Sequence, residues 1–106
     1  KMSILKKGFV HTVFFWLKEK SNTEHYNMLH EGLIKLADND LMIDSYVGKP
    51  AATDRAVIDA SYDFSITLIF KNKADQDTYQ IHPQHLTFID TCAQYWERVV
   101  VYDAES

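Results

Sequence analysis

The residues from Gly8 to Leu17, GFVHTVFFWL, constrain this chain more than any other stretch. They are rich in β-branched and aromatic side chains, which fit a pleated surface, so a strand is expected here. Side chains alternate across a strand, placing His11, Val13, Phe15 and Leu17 on one face and Val10, Thr12, Phe14 and Trp16 on the other. Both faces are largely apolar. Burying a Phe or Val side chain contributes about 1.5–3 kcal/mol, whereas a whole domain is stable by only about 5–15 kcal/mol. Leaving Phe14 and Trp16 in water would forfeit a large share of that total. The sheet that holds this strand therefore needs cover on both sides.

The rest of the sequence supplies elements for one cover. Ser21-Asn22-Thr23-Glu24 matches the capping box that opens a helix, and Tyr26, Leu29, Leu33 and Leu36 then recur on one inward stripe. His25, His30, Glu31 and Lys35 lie off that stripe and read as solvated surface. Asp38-Asn39-Asp40 interrupts the chain before a weaker strand from Leu41 to Val47, ending at Gly48. From Tyr62 to Phe70, YDFSITLIF alternates cleanly, with Phe64, Ile66, Leu68 and Phe70 on one face. Asn72 with Asp75 marks a short helix from Lys73 to Gln80, which must break before Pro83. Proline suits the first position of the next helix, which puts His82 at its cap and extends the helix to about Tyr95. Arg98 to Asp103, RVVVYD, closes the chain as a strand.

This βαββααβ order predicts a ferredoxin-like α+β layer: a four-stranded antiparallel sheet with helices on one face. The bare face is expected to meet a second copy, giving a homodimer closed as an α+β barrel. The alternative is a monomer whose stretch GKPAATDRAVIDAS, from Gly48 to Ser61, folds over the bare face. That stretch is polar and rather sparse in large apolar side chains, and its length makes it a lid candidate.

The 106 residues are expected to form one domain, 1–106, with a modest core that a partner subunit would enlarge. An apolar fraction of 46% and an aromatic fraction of 13% exclude a disordered chain. A formal charge of −4, with no run of lysine or arginine, leaves no electrostatic footprint for nucleic acid or an anionic membrane, so neither partner is expected. No apolar run approaches the roughly 20 residues of a membrane span, and no signal-peptide pattern opens the chain. Cys92 is the single cysteine and no Cys-x-x-Cys pair is present, which fits a reducing cytoplasm. Lys1 ahead of Met2 reads as an extraneous residue.

The chemistry concentrates in Tyr79 to His85, YQIHPQH. In the third helix His85, Phe88 or Ile89, Cys92 and Trp96 fall on an inward stripe, so His85 is expected to face the sheet. It lies in the first turn, where the positive end of the helix dipole disfavours an imidazolium, and a neutral histidine can act as a base. If the helices cover the face that carries His11, then His11, Tyr79 and His85 converge on one pocket. His11 alone reads equally as a hydrogen-bonded core histidine, and His82 as a cap. A metal site on His82 and His85 is not expected, because the proline orients the two rings differently and no cysteine or carboxylate sits at ligand spacing. Cys92 sits on the packed stripe and reads as a small hydrophobe rather than a nucleophile.

Several segments together resemble the stress-responsive A/B barrel (Dabb) family: VHTVFFWLK, VGKP, YDFSITLIFKNKADQDTY, IHPQH and VVVYD. The resemblance spans nearly the whole chain and implies a ferredoxin-like subunit that pairs sheet to sheet. Members that resemble olivetolic acid cyclase close a polyketide with a tyrosine and a histidine as acid and base. The resemblance places those roles on Tyr79 and His85, and a first-strand histidine on His11. Phe64 stands where that cyclase has a further pocket histidine, and a phenyl ring cannot relay a proton, so the resemblance implies a different substrate. With Phe64, Phe88, Trp96 and His82 as the expected pocket lining, the leading expectation is a homodimer that binds a small apolar or carbonyl-containing molecule. The alternatives are a cyclase- or lyase-type enzyme that needs no metal and no organic cofactor, and a structural stress protein without a ligand.

Overall fold

The computed structural model describes residues 7–106. The reading of Lys1, and the start of the expected domain, lie outside the described residues. Strand β1 runs Phe9–Leu17, helix α1 Thr23–Leu36, β2 Asp44–Gly48, β3 Phe64–Phe70, α2 Lys73–Gln80 and α3 Pro83–Cys92. A 3-10 turn, Ala93–Tyr95, leads into β4, Trp96–Glu105. The sheet order is β2-β3-β1-β4, with every neighbouring pair antiparallel. With the helices on one face, this is a ferredoxin-like α+β fold, a slab of 41 × 38 × 21 Å. Among the described residues no helix is long and apolar enough to cross a membrane.

Four local choices differ from the sequence reading. The α1 cap is Asn22 rather than Ser21: its side chain accepts the His25 amide at 3.0 Å, one residue later than the capping box places it. Strand β2 starts at Asp44 because Asn39 accepts the Leu41 amide at 2.8 Å and holds Leu41 and Met42 in a turn. Helix α3 ends at Cys92, so Trp96 opens β4 instead of closing the helix. His25 and His30 are not simply solvated: the His25 ring packs on Tyr95 at 4.9 Å, and the His30 ring lies parallel to Phe64 at 5.3 Å.

The helix-facing side of the sheet holds the core. Phe9, Val13, Phe15 and Leu17 of β1 and Phe64, Ile66, Leu68 and Phe70 of β3 are all buried, against Leu29, Leu33 and Leu36 of α1. Gln84, near the start of α3, donates from its amide to the carbonyls of Lys35 and Asp38 at 2.8 and 2.9 Å. The Lys35 carbonyl also accepts from the Asp38 amide at 3.2 Å, and the Gln84 side chain adds a bond from a different helix, so this contact fixes α3 against α1.

The opposite face is covered far less. Val10, Thr12, Phe14 and Trp16 are half-buried, and Tyr46 and Tyr102 of the flanking strands are exposed. Phe14 stands edge-on between Tyr62 at 4.8 Å and Tyr102 at 6.1 Å. The Arg98 guanidinium lies 4.2 Å over the Trp16 ring, whose Nε1 donates to Ser61 Oγ at 3.0 Å. The end of the irregular segment 49–63 thus touches this face, while residues 51–57 stay exposed.

Candidate functional site

A cavity of about 440 Å³ opens between the sheet and the α2–α3 pair. Strand alternation supplies its floor: His11, Val13 and Phe15 of β1, Ile66 of β3, and Val99, Val101 and Asp103 of β4. The helices supply Gln76, Tyr79 and Gln80 from α2 and His85, Phe88 and Ile89 from α3. Phe15, Phe88 and Trp96 form an aromatic wall, with ring centroids 5.0–6.0 Å apart.

Antiparallel register sets His11 directly opposite Asp103. His11 Nδ1 lies 2.6 Å from Asp103 Oδ1. An ionised carboxylate only accepts, so Nδ1 carries a proton and donates it to Asp103. The Tyr79 ring lies between the two histidines, 6.0 Å from His11 and 4.7 Å from His85. Burial pushes the Tyr79 phenol up, well above its ordinary value of 10.0, so it stays protonated and able to donate at neutral pH.

The helix break at Ile81 and His82 explains the orientation of His85. Gln80 is the last residue of α2, and its carbonyl accepts from His85 Nδ1 at 3.0 Å. A carbonyl cannot donate, so Nδ1 is protonated and Nε2 of the neutral ring is a free base. Burial lowers the affinity of His85 for a second proton below the ordinary 6.5; the bond to Gln80 opposes this and the nearby His11 adds to it. Neutral His85 is therefore favoured near pH 7.

Five of the residues singled out from the sequence line this one cavity: His11, Tyr79, His85, Phe88 and Trp96. The fold does not bring Phe64 or His82 there. Phe64 faces α1, with its ring 4.6 Å from Tyr26, because β3 alternation points it under that helix. His82 Nδ1 accepts the Gln84 amide at 3.1 Å as the cap of α3, which turns it from the cavity lining. The stretch from Gly48 to Ser61, read as a lid candidate, contributes no lining residue. Among the described residues no cluster of His, Cys, Asp or Glu has the geometry to hold a metal ion. A larger groove of about 630 Å³ between α1 and α3 contains no histidine or tyrosine.

Three polar lining residues, Gln76, Gln80 and Asp103, escaped the sequence reading. Asp103 carried a signal: it continues the inward alternation of Val99 and Val101, where a charge is out of place without a partner. Gln76 carried a fainter one, lying three residues before Tyr79 on the same helix face.

Three solved structures illustrate the likeness of this chain to known proteins. A dimeric ferredoxin-like protein of unknown function from Thermobifida fusca is 18% identical, with a TM-score of 0.75 over 100% of this chain and 97% of that one. A Dabb family protein with a ferredoxin-like fold from Mesorhizobium loti is 22% identical, with a TM-score of 0.74 over 93% and 96%. The hydroxynitrile lyase of Passiflora edulis is 20% identical, with a TM-score of 0.74 over 94% of each chain. At these identities the likeness speaks to fold alone. No curated protein matches the chain. The model of the stress responsive A/B barrel domain matches residues 9–106, and the chain belongs to that family, Dabb.

Proposed function

We propose that this protein is a homodimer that binds a small carbonyl-containing molecule in the cavity between the sheet and α2–α3. The apolar body of the ligand rests against Phe15, Phe88 and Trp96, and its carbonyl oxygen lies at Tyr79 and His85. One observation carries the reading: a protonated phenol and a neutral imidazole with a free Nε2 adjoin each other, in a cavity whose remaining lining is mostly apolar, with His11, Gln76, Gln80 and Asp103 as its other polar groups. The volume falls within the roughly 300–1,000 Å³ usual for small-molecule sites. Dimerisation is supported by the apolar outer face and by the dimeric proteins of the same fold. The lone, buried Cys92 fits a reducing compartment, and on that basis we place the protein in the cytoplasm.

The pairing of Tyr79 with His85 also favours a second reading, a cofactor-independent acid–base enzyme. His85 Nε2 takes a proton from the carbon next to the carbonyl, the C–H electrons pass into an enolate, and the Tyr79 hydroxyl donates to its oxygen. One structure of similar fold is a hydroxynitrile lyase, so this architecture can carry an enzyme.

Titration with acetophenone, followed by two-dimensional NMR, separates the readings. Binding in the cavity shifts the signals of Tyr79, His85 and Trp96; shifts confined to the α1–α3 groove, or none, would sink the ligand reading and favour a structural role. For any ketone that turns over, His85→Ala is expected to cost about 10²- to 10⁴-fold in rate while the dimer persists. Unchanged turnover removes the catalytic reading and leaves the binding one standing.

A further inference from the structure

Two strongly polar side chains are buried among the described residues, His11 and Gln76, at 5% and 6% exposure. His11 has Asp103 as its partner. The Gln76 amide has no hydrogen-bond partner among the described residues, although its side chain lines the cavity. A primary amide offers two donors and a two-lone-pair acceptor, and here its atoms are not sealed in the protein interior but open onto the cavity, where a ligand can meet them. Gln76 precedes Tyr79 by three residues on α2, so the two side chains leave the helix from one face, about 5–6 Å apart.

We propose that Gln76 is a specificity-determining residue that reads a second, uncharged oxygen group on the ligand, about one helical turn from the carbonyl held at Tyr79. The inference rests on the carbonyl-binding reading of the cavity and narrows it to an oxygen-substituted aryl ketone. Two features set that class. The Asp103 carboxylate lines the same cavity, so a second anion there is repelled and the group Gln76 meets is neutral. The Phe15, Phe88 and Trp96 rings offer flat surfaces that suit an aromatic body.

The test compares acetophenone with 3-hydroxyacetophenone on the full chain, by NMR titration of the wild type and of Gln76→Met. Methionine keeps the length of the side chain and removes its hydrogen bonding. The wild type is expected to bind the hydroxylated ketone about tenfold more tightly, and the ratio is expected to fall near one in Gln76→Met. Equal binding of both ketones by the wild type overturns the role of Gln76 and leaves the carbonyl site intact. If neither ketone binds, the carbonyl site falls and this inference with it. The ligand-free protein gives an independent readout: because the Gln76 amide opens onto the cavity and bonds to no other described residue, Gln76→Met should leave the melting temperature within roughly 2 °C of the wild type. A fall of roughly 4 °C or more would show that Gln76 holds the fold together, and would overturn the proposal.

Discussion

The two faces of β1 carry similar amounts of apolar surface and have different fates. His11, Val13, Phe15 and Leu17 are buried by helices of the same chain, whereas Val10, Thr12, Phe14 and Trp16 remain half-buried. What differs is the source of cover rather than the greasiness of the strand. Folding alone settles the inner face. The outer face is settled by a second copy on our reading, and hence by concentration. The inner face is also incomplete, because Val99 and Val101 of β4 point the same way yet are 37% and 47% exposed. The helix layer runs out over that strand, and the cavity forms at the shortfall.

The sharpest way to break this comparison is a pair of truncations. Phe15→Ala should cost about 3–5 kcal/mol in urea unfolding at every protein concentration, since it empties a site inside one chain. Phe14→Ala should cost far less in dilute solution, with the deficit growing as the protein is concentrated. Equal losses in dilute solution would mean that one chain covers both faces. Next in size, Phe14→Asp places an unpaired charge in the proposed interface and should weaken dimerisation by roughly 10²-fold, read by sedimentation, without altering the far-ultraviolet spectrum.

Smaller effects belong to the polar end of the inner face. Asp103→Asn removes the anionic acceptor of His11; with the carboxylate side chain 41% exposed, about 1 kcal/mol of stability is at stake. The accompanying broadening of the His11 Nδ1 proton signal is the cleaner readout, and a signal that stays sharp would show that Asp103 does not hold the ring. Smallest is the pH dependence. Because burial depresses His85, the unfolded chain binds a proton more readily than the folded one, and the difference in bound protons sets the slope. The contribution of neutral His85 is complete above about pH 6.5 and declines as the pH falls from there toward the lowered folded value. His85→Asn should flatten that part of the stability profile, and an unaltered slope would mean that burial leaves His85 unperturbed.

Much of the fold was legible because local signals agreed. The alternation of β3 and the Asn72 cap of α2 needed no distant information, and nor did the Pro83 start of α3 with His82 at its cap. The sequence missed features that depend on partners far along the chain. Nothing near Asp103 shows that His11 lies opposite, since the two are 92 residues apart and meet only through strand register. Phe64 was expected in the pocket on resemblance, but it faces α1, where His30 stacks on it. The start of β2 was misjudged because Leu41 and Met42 are apolar, and a side-chain bond from Asn39 outweighed that pattern.

Gly32 sits mid-way along α1, and a methyl group there would come within 2.6 Å of Cys92 Sγ and 3.5 Å of the Phe88 ring. Phe88 is also a wall of the cavity, on the far side of the same helix pair. The depth of the binding space is thus gauged from behind, by the smallest residue in the protein acting as a spacer. An alanine at that position would push α3 toward the sheet or away from its neighbour, retuning ligand fit from a place no ligand touches.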